Sequence, residues 1–203
     1  MEKGTIFRID RGPIVEEVFL REIEKLCAAS YLSAPWSLNE TTAAHAVDRI
    51  RRQLALREAT AYSSWSLPEG LAPLKDMKPA YPSVRKPSPL FDQAGASVAV
   101  MAFGFPIDGD AGSSVYAEWA QPTPHGRDYL MNIFASPDAK AMSIEITMRG
   151  LTAVCHMDRG FVVLPEGDDG IAALLERRRW HQAGRIYDDL PGLMLNLYAG
   201  PLH

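Results

Sequence analysis

Six prolines, Pro68, Pro73, Pro79, Pro82, Pro87 and Pro89, crowd one stretch of this 203-residue chain. Each removes a backbone donor and turns the residue before it away from helix, so neither a helix nor a central strand can run through the stretch. The hydrophobic period differs on its two sides. Leu71, Leu74, Met77, Tyr81 and Leu90 give the stretch apolar anchors, where a flexible linker would carry mostly Gly and Ser. Residues 67–94 therefore read as an extended connector lying against the core.

Residues 1–66 read as helical. Gly12-Pro13 is a suitable helix start, and Val15, Phe19, Ile23 and Leu26 recur at helical spacing ahead of a stop before Pro35. Ser37-Leu38-Asn39-Glu40 has the S-x-x-E spacing of a capping box. It opens a second helix with Val47, Ile50 and Leu54 on its apolar stripe, which the pattern carries to about Tyr62. Beyond Gly95 the period becomes two. Ser97–Phe105, Val115–Gln121, Asp128–Ala135, Met142–Arg149, Thr152–Met157 and Phe161–Pro165 read as strands. The connections between them are short, which favours antiparallel neighbours. A third helix starts near Asp168-Asp169 and continues through Trp180 to Tyr187, and Leu193–Tyr198 reads as a last strand. The expected architecture is a single α+β domain over residues 1–203. An antiparallel β-meander of about five to six strands, covered on one face, packs against N-terminal and C-terminal helices, with the sheet and last helix in residues 95–203.

Charge narrows the functional classes. Lys plus Arg number 21 against 25 Asp plus Glu, a net charge of -4, whereas a general nucleic-acid binder carries a basic surplus. The first residues contain no continuous apolar run of the secretory type. The longest apolar stretch, Val98 to Phe105, is far short of the ~20 residues that span a bilayer. Cys27 and Cys155 lack C-x-x-C spacing and read as buried thiols in a reducing compartment. The expected location is the cytoplasm, with no membrane association.

Local signatures of chemistry are sparse. The chain has no G-x-x-x-x-G-K-[ST], no G-x-G-x-x-G between strand and helix, no G-x-S-x-G and no H-E-x-x-H. Asp108-Gly109-Asp110-Ala111-Gly112 has the start of a calcium loop, but Trp119 stands at its twelfth position. No cofactor and no metal are expected. His125, Arg127 and Asp128 fall together in one loop and supply an acid or base beside an anion clamp. Cys155 and His156 are adjacent on a predicted strand and so point to opposite faces, which leaves His125 as the imidazole available to Cys155. Glu118 and Glu145 are a candidate carboxylate pair, with an exposed sheet face as the plainer reading. The most conspicuous charged features are the arginines of residues 49–57 and 177–185. Within the second group, Arg178, Arg179, Trp180 and His181 combine the residue types enriched at protein contacts.

These observations favour a non-catalytic cytoplasmic protein whose partner is another protein, an acidic one suiting the arginines. A toxin-neutralising immunity protein or a secretion chaperone would have that character. The alternative is a small-molecule enzyme working through His125, Arg127, Asp128 and Cys155 near the sheet edge.

Overall fold

The computed structural model describes residues 5–67, 96–107, 128–154, 159–189 and 191–201. The proline-rich connector and the predicted strand at residues 115–121 lie outside them. Among the described residues the elements run β1 (Thr5–Arg11), α1 (Glu17–Leu32), α2 (Glu40–Leu54), β2 (Thr60–Ser66), β3 (Ser97–Pro106), β4 (Tyr129–Ala135), α3 (Ala141–Val154), β5 (Arg159–Pro165), α4 (Asp169–Arg177), β6 (His181–Asp188) and β7 (Leu193–Pro201). The seven strands form one sheet in the order β1-β2-β3-β4-β5-β7-β6. Every neighbouring pair is antiparallel except β4 and β5.

This corrects the expected five-to-six-strand antiparallel meander with terminal helices. A parallel pair cannot be closed by a tight turn and needs a crossover; α3 is that crossover. Residues 142–149, expected as a strand, lie within it. Its inward positions are Ile144, Thr147, Met148 and Leu151, while Met142 and Ile146 are exposed. A buried threonine and two outward apolar residues disguise the helical period as an alternation. Gly150 lets the helix press on β2, since a Cβ there would stand 2.4 Å from the Tyr62 ring.

The sheet is covered on both faces, not one. Beneath α1 and α2, Phe19, Ile23, Ile50 and Leu54 pack on Trp65, Phe103, Phe134 and Leu197. Beneath α3 and α4, Met148, Leu151, Leu174 and Leu175 pack on Met131, Val162 and Tyr198. The two strands added on the N-terminal side were obscured by their composition. β1 (TIFRIDR) interleaves charge, and β2 (TAYSSWS) carries Ser63 and Ser64 at buried positions. Ser63 is accommodated by accepting a hydrogen bond from Trp65 Nε1 at 2.9 Å. The second helix stops at Leu54 and is capped by Asn39, whose side chain accepts from the Thr42 N–H at 2.9 Å. The third predicted helix stops at Arg177. Arg179 turns the chain with φ +66°, and residues 181–188 become β6.

Candidate functional site

β4 and β5 are in register at only three positions, Tyr129 with Gly160, Leu130 with Phe161 and Met131 with Val162. Below this pairing Arg159 closes the two strands together. Its Nε and an Nη atom donate to the two oxygens of Asp128 at 2.9 and 2.6 Å. Above it, β4 continues to Ala135 and β5 to Pro165 without pairing to one another. The result is a wedge within the sheet that opens toward the carboxyl ends of two parallel strands. Open α/β sheets receive ligands at that end. Backbone N–H and C=O groups alternate sides along a strand, so part of each unpaired segment faces the wedge.

Asn132 is the first β4 residue beyond the pairing. Its side-chain nitrogen is buried and has no hydrogen-bond partner among the described residues. An orphaned donor of this kind costs about 1–3 kcal/mol. Side chains alternate across a strand. Leu130 and Phe134 belong to the core beneath α1 and α2, so Asn132 faces that layer.

On this face the wedge is walled by the end of α1 and the α1–α2 loop. Tyr31 meets Phe134 edge-on at 5.4 Å and Trp36 at 5.1 Å between ring centroids. The loop folds back through a hydrogen bond from the Leu38 N–H to the Tyr31 carbonyl at 2.8 Å. Burial pushes the Tyr31 hydroxyl well above its ordinary pKa, although a hydrogen bond from Arg49 acts in the other direction. Arg49 is itself held by both oxygens of Asp188 at 3.0 and 2.8 Å, which ties α2 to the carboxyl end of β6. On the other face, α3 begins after Ser136-Pro137-Asp138-Ala139-Lys140. It has no acidic residue in its first turn, and a helix N-terminus of this kind favours an anion.

Among the described residues, those singled out from sequence occupy separate places. His125, Arg127, Glu118, Cys155 and His156 lie outside the described residues. Asp128 is buried, and its carboxylate is engaged by Arg159 at the closed end of the wedge. Glu145 is on the exposed side of α3, not mid-strand. Arg178 is half-buried, Arg179 and His181 are exposed, and Trp180 is core, packed so closely over Gly200 that a Cβ there would meet its ring at 2.2 Å. The arginines are distributed too: Arg51 pairs with Glu24 and Arg185 with Glu166. Cys27 is buried, and burial pushes its thiol pKa up. Sequence reasoning missed Asn132, Tyr31 and Arg49 as a group, because nothing local in the sequence marks the place where β4 and β5 separate. Among the described residues there is no group of three or more potential metal ligands, and no helix long and apolar enough to cross a membrane.

The architecture defines a class. A seven-stranded, mostly antiparallel sheet with one parallel pair and helices on both faces is the GNAT acetyltransferase fold. The chain is similar to a putative acetyltransferase from Salmonella typhimurium solved with acetyl-CoA (TM-score 0.55, 9% identity, 98% of this chain and 95% of that one). It is also similar to an aminoglycoside N(6')-acetyltransferase from Legionella pneumophila (TM-score 0.54, 5% identity, 100% and 94%). A third likeness is to a GNAT superfamily phosphinothricin acetyltransferase from Sinorhizobium meliloti in complex with acetyl-CoA (TM-score 0.53, 12% identity, 97% and 88%). No protein-family model matches the chain, and no curated protein matches it by sequence. The expectation of a non-catalytic immunity protein or chaperone is corrected by these likenesses, each of them to an acetyltransferase. That expectation rested on missing motifs, and this fold assembles its crevice from strand edges instead.

Proposed function

We propose that the protein is an acyltransferase that moves an acyl group from coenzyme A to an acceptor amine. The observation that carries this reading is the wedge between β4 and β5, open at the carboxyl ends of the sheet's parallel pair. The donor suits the residues present. Its pantetheine arm is an extended chain with amide groups, able to pair with unpaired strand edges in the manner of an added strand. Residues 133–135 of β4 and 163–165 of β5 would hold that arm. The start of α3, with Lys140 beside it, would take the pyrophosphate. The donor supplies an activated thioester.

The chain's own residues shape where transfer occurs. Tyr31, Trp36 and Phe134 form an aromatic wall on the α1–α2 face and exclude water from that side of the wedge. Arg49 and Asp188 satisfy one another and fix the wall's outer edge. The three similar structures name different acceptors or none, so the acceptor is proposed only as an amine. A donor made inside cells agrees with the cytoplasmic location read from the sequence.

Isothermal titration of the protein with acetyl-CoA tests the reading directly and should give saturable one-to-one binding. Thiol release in the presence of a panel of aminoglycosides, polyamines and amino acids should then identify the acceptor. Absence of acetyl-CoA binding at millimolar concentration overturns the proposal.

A further inference from the structure

We propose that Asn132 donates a hydrogen bond to the acyl carbonyl oxygen of the bound thioester, and so makes the site prefer acylated over free coenzyme A. This rests on the acyltransferase reading and adds to it a residue that recognises the acyl group. Three observations converge on Asn132. It is the first residue past the last β4–β5 register pair, where the wedge begins. It faces the α1–α2 layer, between Leu130 and Phe134 on its own strand and opposite Phe103 on β3. Its buried nitrogen has no acceptor among the described residues.

The chemistry of a carboxamide nitrogen selects its complement. It donates and does not accept, so it cannot receive the ammonium form of an incoming amine. The thiol of free coenzyme A is a poor acceptor, whereas a thioester carbonyl is a good one. In the transfer, the amine nitrogen bonds to the carbonyl carbon and the carbon–sulfur bond breaks. The proton given up by the amine leaves with the sulfur, yielding an amide and a free thiol. Negative charge rises on the carbonyl oxygen as the new bond forms, and a fixed donor among Phe103, Phe134 and Leu130 acts where the surroundings screen it little.

The test compares acetyl-CoA with coenzyme A by titration calorimetry, on the wild-type protein and on Asn132→Leu and Asn132→Ala. Wild type should bind acetyl-CoA more tightly than coenzyme A. Both variants should keep the wild-type affinity for coenzyme A and lose about tenfold for acetyl-CoA. Unliganded Asn132→Leu should unfold at or above the wild-type temperature, because an apolar side chain replaces an unsatisfied donor. A preference for acetyl-CoA retained in either variant overturns the proposal, as does an equal loss for both ligands. A marked drop in the unfolding temperature of Asn132→Leu assigns the amide a structural bond and also overturns it. Failure of wild type to bind either ligand strikes instead at the acyltransferase reading.

Discussion

Arg159 donates to both carboxylate oxygens of Asp128, at 2.9 and 2.6 Å, and joins the amino ends of β4 and β5 just before those strands part. Arg159 also stacks over Phe161, 5.0 Å from the ring centroid, so its position is fixed from two sides. The pair therefore acts as the closed end of the wedge. Asp128→Ala removes a buried carboxylate and leaves a partly exposed guanidinium without it. The loss should be about 2 kcal/mol, below the value for a fully buried pair because solvent reaches Arg159. Urea unfolding of the variant checks this. If the clamp sets the wedge, affinity for acetyl-CoA should fall as well, while Asp128→Asn, which keeps one acceptor, should retain more of both.

Gly200 and Gly150 are both tight in space, yet alanine should act differently at each. A Cβ on Gly200 would stand 2.2 Å from Trp180 Cγ, in the middle of a buried indole that has nowhere to move. Gly200→Ala should cost about 2–3 kcal/mol through overpacking. At Gly150 the obstacle is the outer part of the half-exposed Tyr62 ring, which can swing outward. Helix propensity also returns up to ~1 kcal/mol when alanine replaces glycine within α3. Gly150→Ala should therefore lie within about 1 kcal/mol of wild type in the same unfolding assay.

How much of this was legible in the sequence depends on where each signal resides. β3, β4 and β5 stand out because buried strands of a sheet covered on both faces are apolar almost throughout, as in Ser97–Pro106 and Tyr129–Ala135. β1, β2 and β6 were lost because they carry charge, serine or arginine at positions that tertiary contacts satisfy. Arg8 of β1, for example, is neutralised by Asp10 and Glu16. α3 was read at the wrong period because its apolar residues do not follow its buried face. That error hid the crossover, and with it the parallel pair. The site then became invisible, since the wedge is a property of strand order and register. Asp128 attracted notice as an acid–base candidate, but its carboxylate is spent on Arg159. Asn132 attracted none, because an asparagine in an apolar strand has meaning only once its neighbours are known.

Arg49 and Asp188, 139 residues apart in sequence, should be energetically coupled. Asp188 is largely buried and Arg49 half-buried, and Arg49 also hydrogen bonds the Tyr31 hydroxyl. Removing either partner takes from the other its bonded opposite charge. A double-mutant cycle of Arg49→Ala and Asp188→Ala should therefore return about 1–2 kcal/mol of coupling. Coupling within experimental error of zero would show that the pair behaves like an exposed ion pair. Arg49→Lys, with one point charge in place of the planar fork, should recover only part of it.

Asp168 gives the fold a pH dependence whose sign can be worked out. Its side chain caps α4 by accepting the Ile171 N–H at 3.3 Å. Burial nevertheless raises its pKa above the ordinary value of 3.8, assisted by Asp169 and opposed by the capping bond. A carboxyl with a raised folded-state pKa binds its proton more readily in the folded than in the unfolded chain. Its ionisation then works against folding above the raised pKa, and the effect vanishes below 3.8, where both states are protonated. Asparagine keeps the cap without the charge. The stability of wild type relative to Asp168→Asn should consequently improve as pH falls from neutrality through the raised pKa toward 3.8. Asp168→Ala, which removes the cap altogether, should lose about 1 kcal/mol at neutral pH. Urea unfolding of the three proteins at pH 7 and pH 4 checks the sign: a relative stability that worsens on acidification would mean that the capping bond, and not burial, governs this carboxylate.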